Sequence, residues 1–236
     1  MRILARRQLS GLAATLLAVA VLGCQGSGDS DGADTARQIS DDELARMVLT
    51  LEDFGADFAG LQADADNGLR TLDEIAEDDF DPEDERADLD RFGWASGYQE
   101  FFFDPQASQE RTGVLAVGSS VFLFETAEGA TGYLEDSTDE LVTQVGKSSK
   151  GTTLEEIQEF DVDVGDGAAG AVFHGRVESE QGSTFSLWLT SVMFRHGRLM
   201  ATIAIYSFDE KQFQDTSKGL ARQMDQRVGS VLSRER

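Results

Sequence analysis

The chain has 236 residues, 40% of them hydrophobic and 27% charged, with 44 acidic against 20 basic side chains, two histidines and one cysteine, for a formal net charge of −24. Its only four lysines lie at 147, 150, 211 and 218, so nucleic acid is excluded as a partner: phosphate binding needs clustered cations, and this acidic field repels polyanions. Cys24 is the only cysteine, so the folded part stands without disulfides and without thiol, cysteine-ligated zinc or iron–sulfur chemistry.

Residues 1–23 read as an export signal: Arg2, Arg6 and Arg7 lead, an apolar run from Leu9 to Leu22 follows, and small Gly23 precedes Cys24. The run is too short to span a bilayer comfortably. Removing this segment takes away three arginines and no acid, which moves the formal charge from −24 to −27. Val21-Leu22-Gly23-Cys24 resembles the bacterial lipobox. That resemblance implies a diacylglycerol thioether on Cys24 and a lipid-anchored protein of the cell membrane facing the extracytoplasmic side. Two acyl chains suffice for stable anchoring, each buried methylene contributing about 0.8 kcal/mol. Arg6-Arg7 also resembles a weak twin-arginine signal, and an ordinary basic n-region reads equally well. The acidic surface should repel anionic headgroups, leaving the lipid on Cys24 as the membrane contact. A high acid content with few lysines also suits a salt-adapted proteome, in which case the charge reports habitat.

From residue 24 to 39 the chain is rich in Gly, Ser and Asp, too polar to bury a core, and is expected to be a flexible linker. The folded part is expected over 40–236. Ser40 and Glu43 form a capping-box pattern ahead of Leu44, Met47, Val48 and Leu51, predicting a helix over about 41–52. Between Glu52 and Arg91 isolated apolar residues in an Asp/Glu/Ala-rich background favour short helices and loops, with Pro82 starting a helix that ends at Gly93.

Tyr98–Phe103 and Gly113–Phe124 are aromatic and β-branched runs joined by a polar turn around Pro105, read as an antiparallel hairpin. A helix is predicted from Ala127 to Val145, its apolar face formed by Ala130, Tyr133, Leu134, Leu141 and Val145. Strands are predicted over Gly170–Val177, Thr184–Arg195 and Arg198–Phe208, with a tight turn at His196-Gly197, before a helix striped by Leu220, Met224, Val228 and Val231. Gly113 precedes Phe124 by the same interval that separates Gly197 from Phe208. This suggests two degenerate strand-strand-helix repeats, halves at 40–150 and 151–236, although two independent hairpin-helix units read equally well. The expected fold is a single α+β domain: an antiparallel sheet with helices packed on one face.

The lipobox, the polar linker, the segment Met47-Val48-Leu49-Thr50-Leu51-Glu52-Asp53-Phe54-Gly55 and the late pattern FRHGRLMATIAIYSF before a terminal helix resemble extracytoplasmic sensor-type lipoprotein domains. They are similar to the sensor domain of the PknH kinase family and to lipoproteins of Mog1/PsbP-like shape. The resemblance implies a ligand- or protein-binding module with a central antiparallel sheet, and no enzyme.

Catalytic patterns are poor. His174 falls in a strand and His196 in a turn flanked by Arg195 and Arg198; Gly118-Ser119-Ser120-Val121 is not a Gly-x-Ser-x-Gly elbow. Acid-rich loops at 64–68 (DADNG) and 161–167 (DVDVGDG) resemble the start of a calcium loop but fail its register; Asp79, Asp81, Glu83 and Asp90 fit the spacing with Asp84 where glycine belongs. They are read as turn-forming or solvated acids, weak calcium binding being the alternative. No catalytic, cofactor or metal residue is assigned. Trp94, Tyr98, Phe101 to Phe103 with Phe102 foremost, Trp188 and Tyr206 are the candidate pocket aromatics, with plain core as the competing reading. The function expected is a membrane-anchored, non-catalytic ligand-binding or sensing module whose partner is an unknown small molecule or envelope protein. The alternatives are a structural accessory of another envelope protein and a cryptic hydrolase, which a buried acid beside His174 would favour.

Overall fold

The computed structural model describes residues 38–79, 81–179, 182–209 and 213–233, with the side chains of 140–142 excepted. The signal at 1–23, Cys24 and nearly all of the linker at 24–39 lie outside the described residues.

Ser40 caps the first helix, α1 (Asp41–Met47), as its capping box predicts. The helix stops five residues early because tertiary bonds claim the next backbone groups. Val48 is extended (φ −74°, ψ 156°) and its carbonyl accepts from Arg227 Nη1 at 2.7 Å. The Leu49 N–H donates to the buried Ser119 Oγ at 2.9 Å. Thr50 then caps a new 3-10 turn (Leu51–Asp53), followed by a second (Ala56–Phe58).

The acidic region holds the two helices expected of it, α2 (Leu72–Asp78) and α3 (Pro82–Arg91), and two short strands that its polarity concealed, β1 (Gln62–Ala63) and β2 (Gly68–Arg70). Both pair antiparallel with β3 (Trp94–Phe103). The expected turn at Pro105 is a short helix, α4 (Pro105–Glu110), because Asp104 Oδ1 accepts the N–H groups of Gln106 and Ala107 at 2.7 and 3.2 Å. Next come β4 (Val114–Phe124) and α5 (Ala127–Gln144). β5 (Ser148–Ser149) and β6 (Thr152–Phe160) form a hairpin that lacks the strict alternation a sequence reading requires. The remaining strands are β7 (Gly167–Glu178), β8 (Thr184–His196) and β9 (Leu199–Ser207), and α6 (Gln214–Ser233) follows. The β8–β9 turn is Gly197-Arg198, one residue later than predicted, with His196 paired to Leu199 and Gly197 at φ +59°.

These strands form one antiparallel sheet in the order β1-β3-β4-β9-β8-β7-β6-β5, with β2 also on β3. The α+β class and antiparallel sheet are as expected; the placement of helices on a single face is not. Alternate residues of a strand point to opposite faces. On one face, Val117, Val121, Ile203, Ile205, Val192 and Phe194 pack with α1 and with Leu220, Met224, Val228 and Val231 of α6. On the other, Phe122, Phe124, Met193 and Met200 pack with Ala130 and Tyr133 of α5, Ile75 of α2 and Leu89 of α3. Every residue of β9 is therefore buried. Of the predicted α5 stripe, Ala130 and Tyr133 are buried, Val145 lies beyond the helix and is 44% exposed, and the Leu141 side chain is outside the described set.

The repeat holds for the strands alone. The offset that matches Gly113 with Gly197 also matches Ser119 with Ile203, and these two face each other across β4 and β9. A local twofold axis normal to the sheet thus relates β3–β4 to β8–β9. Such an axis keeps faces in place, whereas α5 and α6 lie on opposite faces, so the correspondence ends where the helices begin.

Candidate functional site

Apart from Phe101, whose ring meets that of Tyr206 edge-on at 6.1 Å, the candidate aromatics are not gathered into one site. Phe102 is buried and Tyr98 half-buried in the core beneath α6; Trp94 borders the α5 core; Tyr206 is buried in a third cluster with Phe173 and Leu189. Trp188 stacks on the His174 ring at 4.2 Å and 15°. Burial pushes the Tyr206 phenol far above its ordinary range, the charge of Asp78 adding to the effect. These residues are core or strand-surface side chains, and of the candidates Phe101 alone lines a cavity whose walls are described.

His174 does have an acid beside it: Glu155 Oε2 lies 3.6 Å from Nδ1. That carboxylate is 30% exposed and its other oxygen pairs with Arg176 at 2.9 Å, while His174 Nε2 is buried without a hydrogen-bond partner. A base oriented by an acid still needs a nucleophile at its free nitrogen, and that nitrogen is closed off. His196 Nδ1 lies 3.2 Å from Asp225, tying the β8–β9 turn to α6. Ser119 Oγ accepts from Leu49 and contacts Met224 Sδ at 3.5 Å, a structural use of the hydroxyl.

The acid-rich loops have local duties. Asp166 in the DVDVGDG stretch accepts the Gly197 N–H at 2.6 Å, and its own N–H donates to the Arg195 carbonyl at 2.7 Å, clamping the β8–β9 turn. Asp81 caps α3, and Asp79 accepts the Asp81 N–H at 3.0 Å. Among the described residues no three His, Cys, Asp or Glu side chains are grouped to hold a metal ion.

What the fold does assemble, joining Phe101 and the DADNG loop to α2 residues that sequence reasoning did not group with them, is a polar recess of about 270 Å³ between α2, the β1–β2 loop and β3. Gln99 and Phe101 form its floor; Asp64, Asp66, Glu74, Glu77 and Asp78 place five carboxylates around a single guanidinium, that of Arg70. Arg70 Nη2 bonds Asp78 at 2.6 Å, with side chains 12% and 20% exposed. Burial raises the Asp78 pKa against the opposing pull of Arg70 and Lys150. Lys150 in turn caps the end of α2, its Nζ donating to the carbonyls of Glu77 and Asp79 at 2.6 and 2.7 Å. Glu74 is held below the usual carboxylate range by the N–H and hydroxyl of Thr71, its capping-box partner.

Asn67 fixes the rim. Its Oδ1 accepts the Phe101 N–H at 2.8 Å, and its Nδ2 donates to the Phe101 carbonyl at 3.1 Å and to Glu100 Oε2 at 2.7 Å. The side chain thereby imitates a strand residue in the gap between β1 and β2. Burial raises the Glu100 pKa, its hydrogen bonds to Tyr98 and Asn67 opposing. The field of the recess favours cations, and Phe101 offers an apolar floor. The sequence signals for it were Phe101 among the aromatics and DADNG at 64–68, whose reach to Glu100 and Phe101 depends on pairing across more than thirty residues.

The class defined by this geometry is an antiparallel α+β domain with a helical layer on each face and a polar recess at one sheet edge. The fold is shared with the extracellular domain of PknH from Mycobacterium tuberculosis, at a TM-score of 0.51 and 12% identity, over 82% of this chain and 98% of that one. A Pseudomonas aeruginosa protein of unknown function, PA94, aligns over 48% of this chain and 72% of its own at 11% identity, with a TM-score of 0.25. No family model matches the chain, and no curated protein does. Among the described residues no helix is long and apolar enough to cross a membrane.

Proposed function

We propose that this protein is a lipid-anchored, extracytoplasmic sensing domain that binds a small polar solute without chemically changing it. The observation that carries the reading is the fold shared with a kinase extracellular domain along almost that domain's whole length, behind a leader with the marks of export and lipidation. The closed environment of His174 and the structural use of Ser119 support a non-catalytic role. In this reading the solute is cationic and sits in the recess beside α2, between its carboxylates and the Phe101 ring.

Two experiments test it. Cys24→Ser should abolish labelling by radioactive palmitate in cells and release the protein from the membrane fraction; membrane retention without label would sink the anchoring. Titration of the full chain with choline and spermidine, followed by thermal shift, should give stabilisation beyond that of sodium chloride at equal ionic strength. The gain should vanish in Phe101→Ala, and a response matching that of salt would refute the recess as a binding site.

A further inference from the structure

Asn67 is the only asparagine in the chain and is followed by Gly68. Residue 68 has no side chain to crowd its amide nitrogen, and its backbone is in a glycine conformation (φ +137°) at the start of β2, opposite Gln99. The groups around the carboxamide are those its cyclisation needs. The Phe101 N–H points at Oδ1 from 2.8 Å, where negative charge develops when the carbon is attacked. Nδ2, the leaving nitrogen, donates to Glu100 Oε2 at 2.7 Å, and along this contact a proton can return once attack has made the carbon tetrahedral and given Nδ2 a lone pair. We propose that Asn67 is a self-modification site, at which Glu100 and the Phe101 N–H promote loss of the carboxamide nitrogen as ammonia.

The Gly68 nitrogen forms a bond to Asn67 Cγ and gives up its proton. Oδ1 carries the transient negative charge against the Phe101 N–H. Glu100 in its acid form delivers a proton to Nδ2 as the Cγ–Nδ2 bond breaks and ammonia departs, and the proton released from Gly68 restores Glu100. Water then opens the cyclic imide to aspartate or isoaspartate, and nothing is oxidised or reduced. The raised pKa of Glu100 keeps part of it in the acid form closer to neutrality than an exposed glutamate.

The consequence follows from the bonds already named. The product replaces a double donor by a carboxylate facing Glu100 Oε2 and the Phe101 carbonyl, so two hydrogen bonds become two repulsions. The β1–β2 segment loses its attachment midway along β3, and the rim of the recess gains a negative charge. The chemistry is independent of whether the recess binds a solute.

The test incubates the full chain at neutral pH and follows the tryptic peptide from Met47 to Arg70 by mass spectrometry, scoring the one-dalton gain and the isoaspartate isomer. The folded chain should react about tenfold faster than the same chain in urea, and Glu100→Gln, shown folded by circular dichroism, should remove that advantage. A folded chain that reacts no faster than the unfolded one overturns the proposal with no variant needed, and so does an unchanged rate in folded Glu100→Gln.

Discussion

Replacing Asp53 by alanine tests how the N-terminal segment is lashed to the last helix. Asp53 is 12% exposed and accepts from Gln223 Nε2 at 2.8 Å, from the Thr50 N–H at 2.7 Å and from Arg227 Nη2, while Arg227 Nη1 also holds the Val48 carbonyl. Hydrogen bonds to charged groups contribute about 1.5–3 kcal/mol each, and removing one partner of a buried pair costs about 3–5 kcal/mol. Arg227 is 28% exposed, so water replaces part of what it loses. The expected cost of Asp53→Ala is therefore about 2–4 kcal/mol, or roughly 5–15 °C in Tm for a domain of this size. Urea unfolding followed by fluorescence of Trp94 and Trp188 measures it. Burial alone would raise the Asp53 pKa, but the bonds from Arg227 and Thr50 outweigh it and leave the pKa lowered. A carboxylate with a depressed folded pKa contributes stability above its unfolded pKa and loses it as the pH falls through the folded value. The advantage of wild type over Asp53→Ala should thus be constant near neutrality and shrink only in acid, below about pH 4. A loss under about 0.5 kcal/mol, the range of ordinary surface substitutions, would refute the clamp.

Other outcomes are expected from the same geometry. Phe194→Ala empties a fully buried site beneath α6 and should cost about 3–5 kcal/mol in urea unfolding. Gly165→Ala should cost at least about 1–3 kcal/mol, since residue 165 has φ +65° and a Cβ there would lie 2.2 Å from the Arg195 carbonyl oxygen; a neutral result would show that this loop does not clamp the β8–β9 turn.

The strand cores and the α6 stripe were legible because their cause is local. The nearly continuous apolar runs of β4 and β9, buried on both faces, and the i, i+4 run of Leu220, Met224 and Val228, buried on one, are written in neighbouring residues, whatever they meet. The end of α1 was not legible, because Val48 and Leu49 leave the helix for Arg227 and Ser119, partners far along the chain. β1, β2 and β6 were missed for a related reason: short or Glu-rich strands at a sheet edge owe their conformation to a neighbour more than to their own residues. The aromatics singled out as pocket candidates were chosen by residue type, and type does not tell which face of the sheet a ring meets.

By itself the sequence determined an acidic composition with only four lysines, a single cysteine and hence no disulfide within the chain, and the antiparallel α+β class. These depend on composition, local spacing and short-range preference. Only the tertiary structure decided that α5 and α6 cover opposite faces, that the repeat ends with its strands, and that Asn67 meets Glu100 and Phe101 at the rim of a recess. Those outcomes depend on register and handedness of connection, set by the energy of packing whole elements together, and no window of neighbouring residues contains that energy.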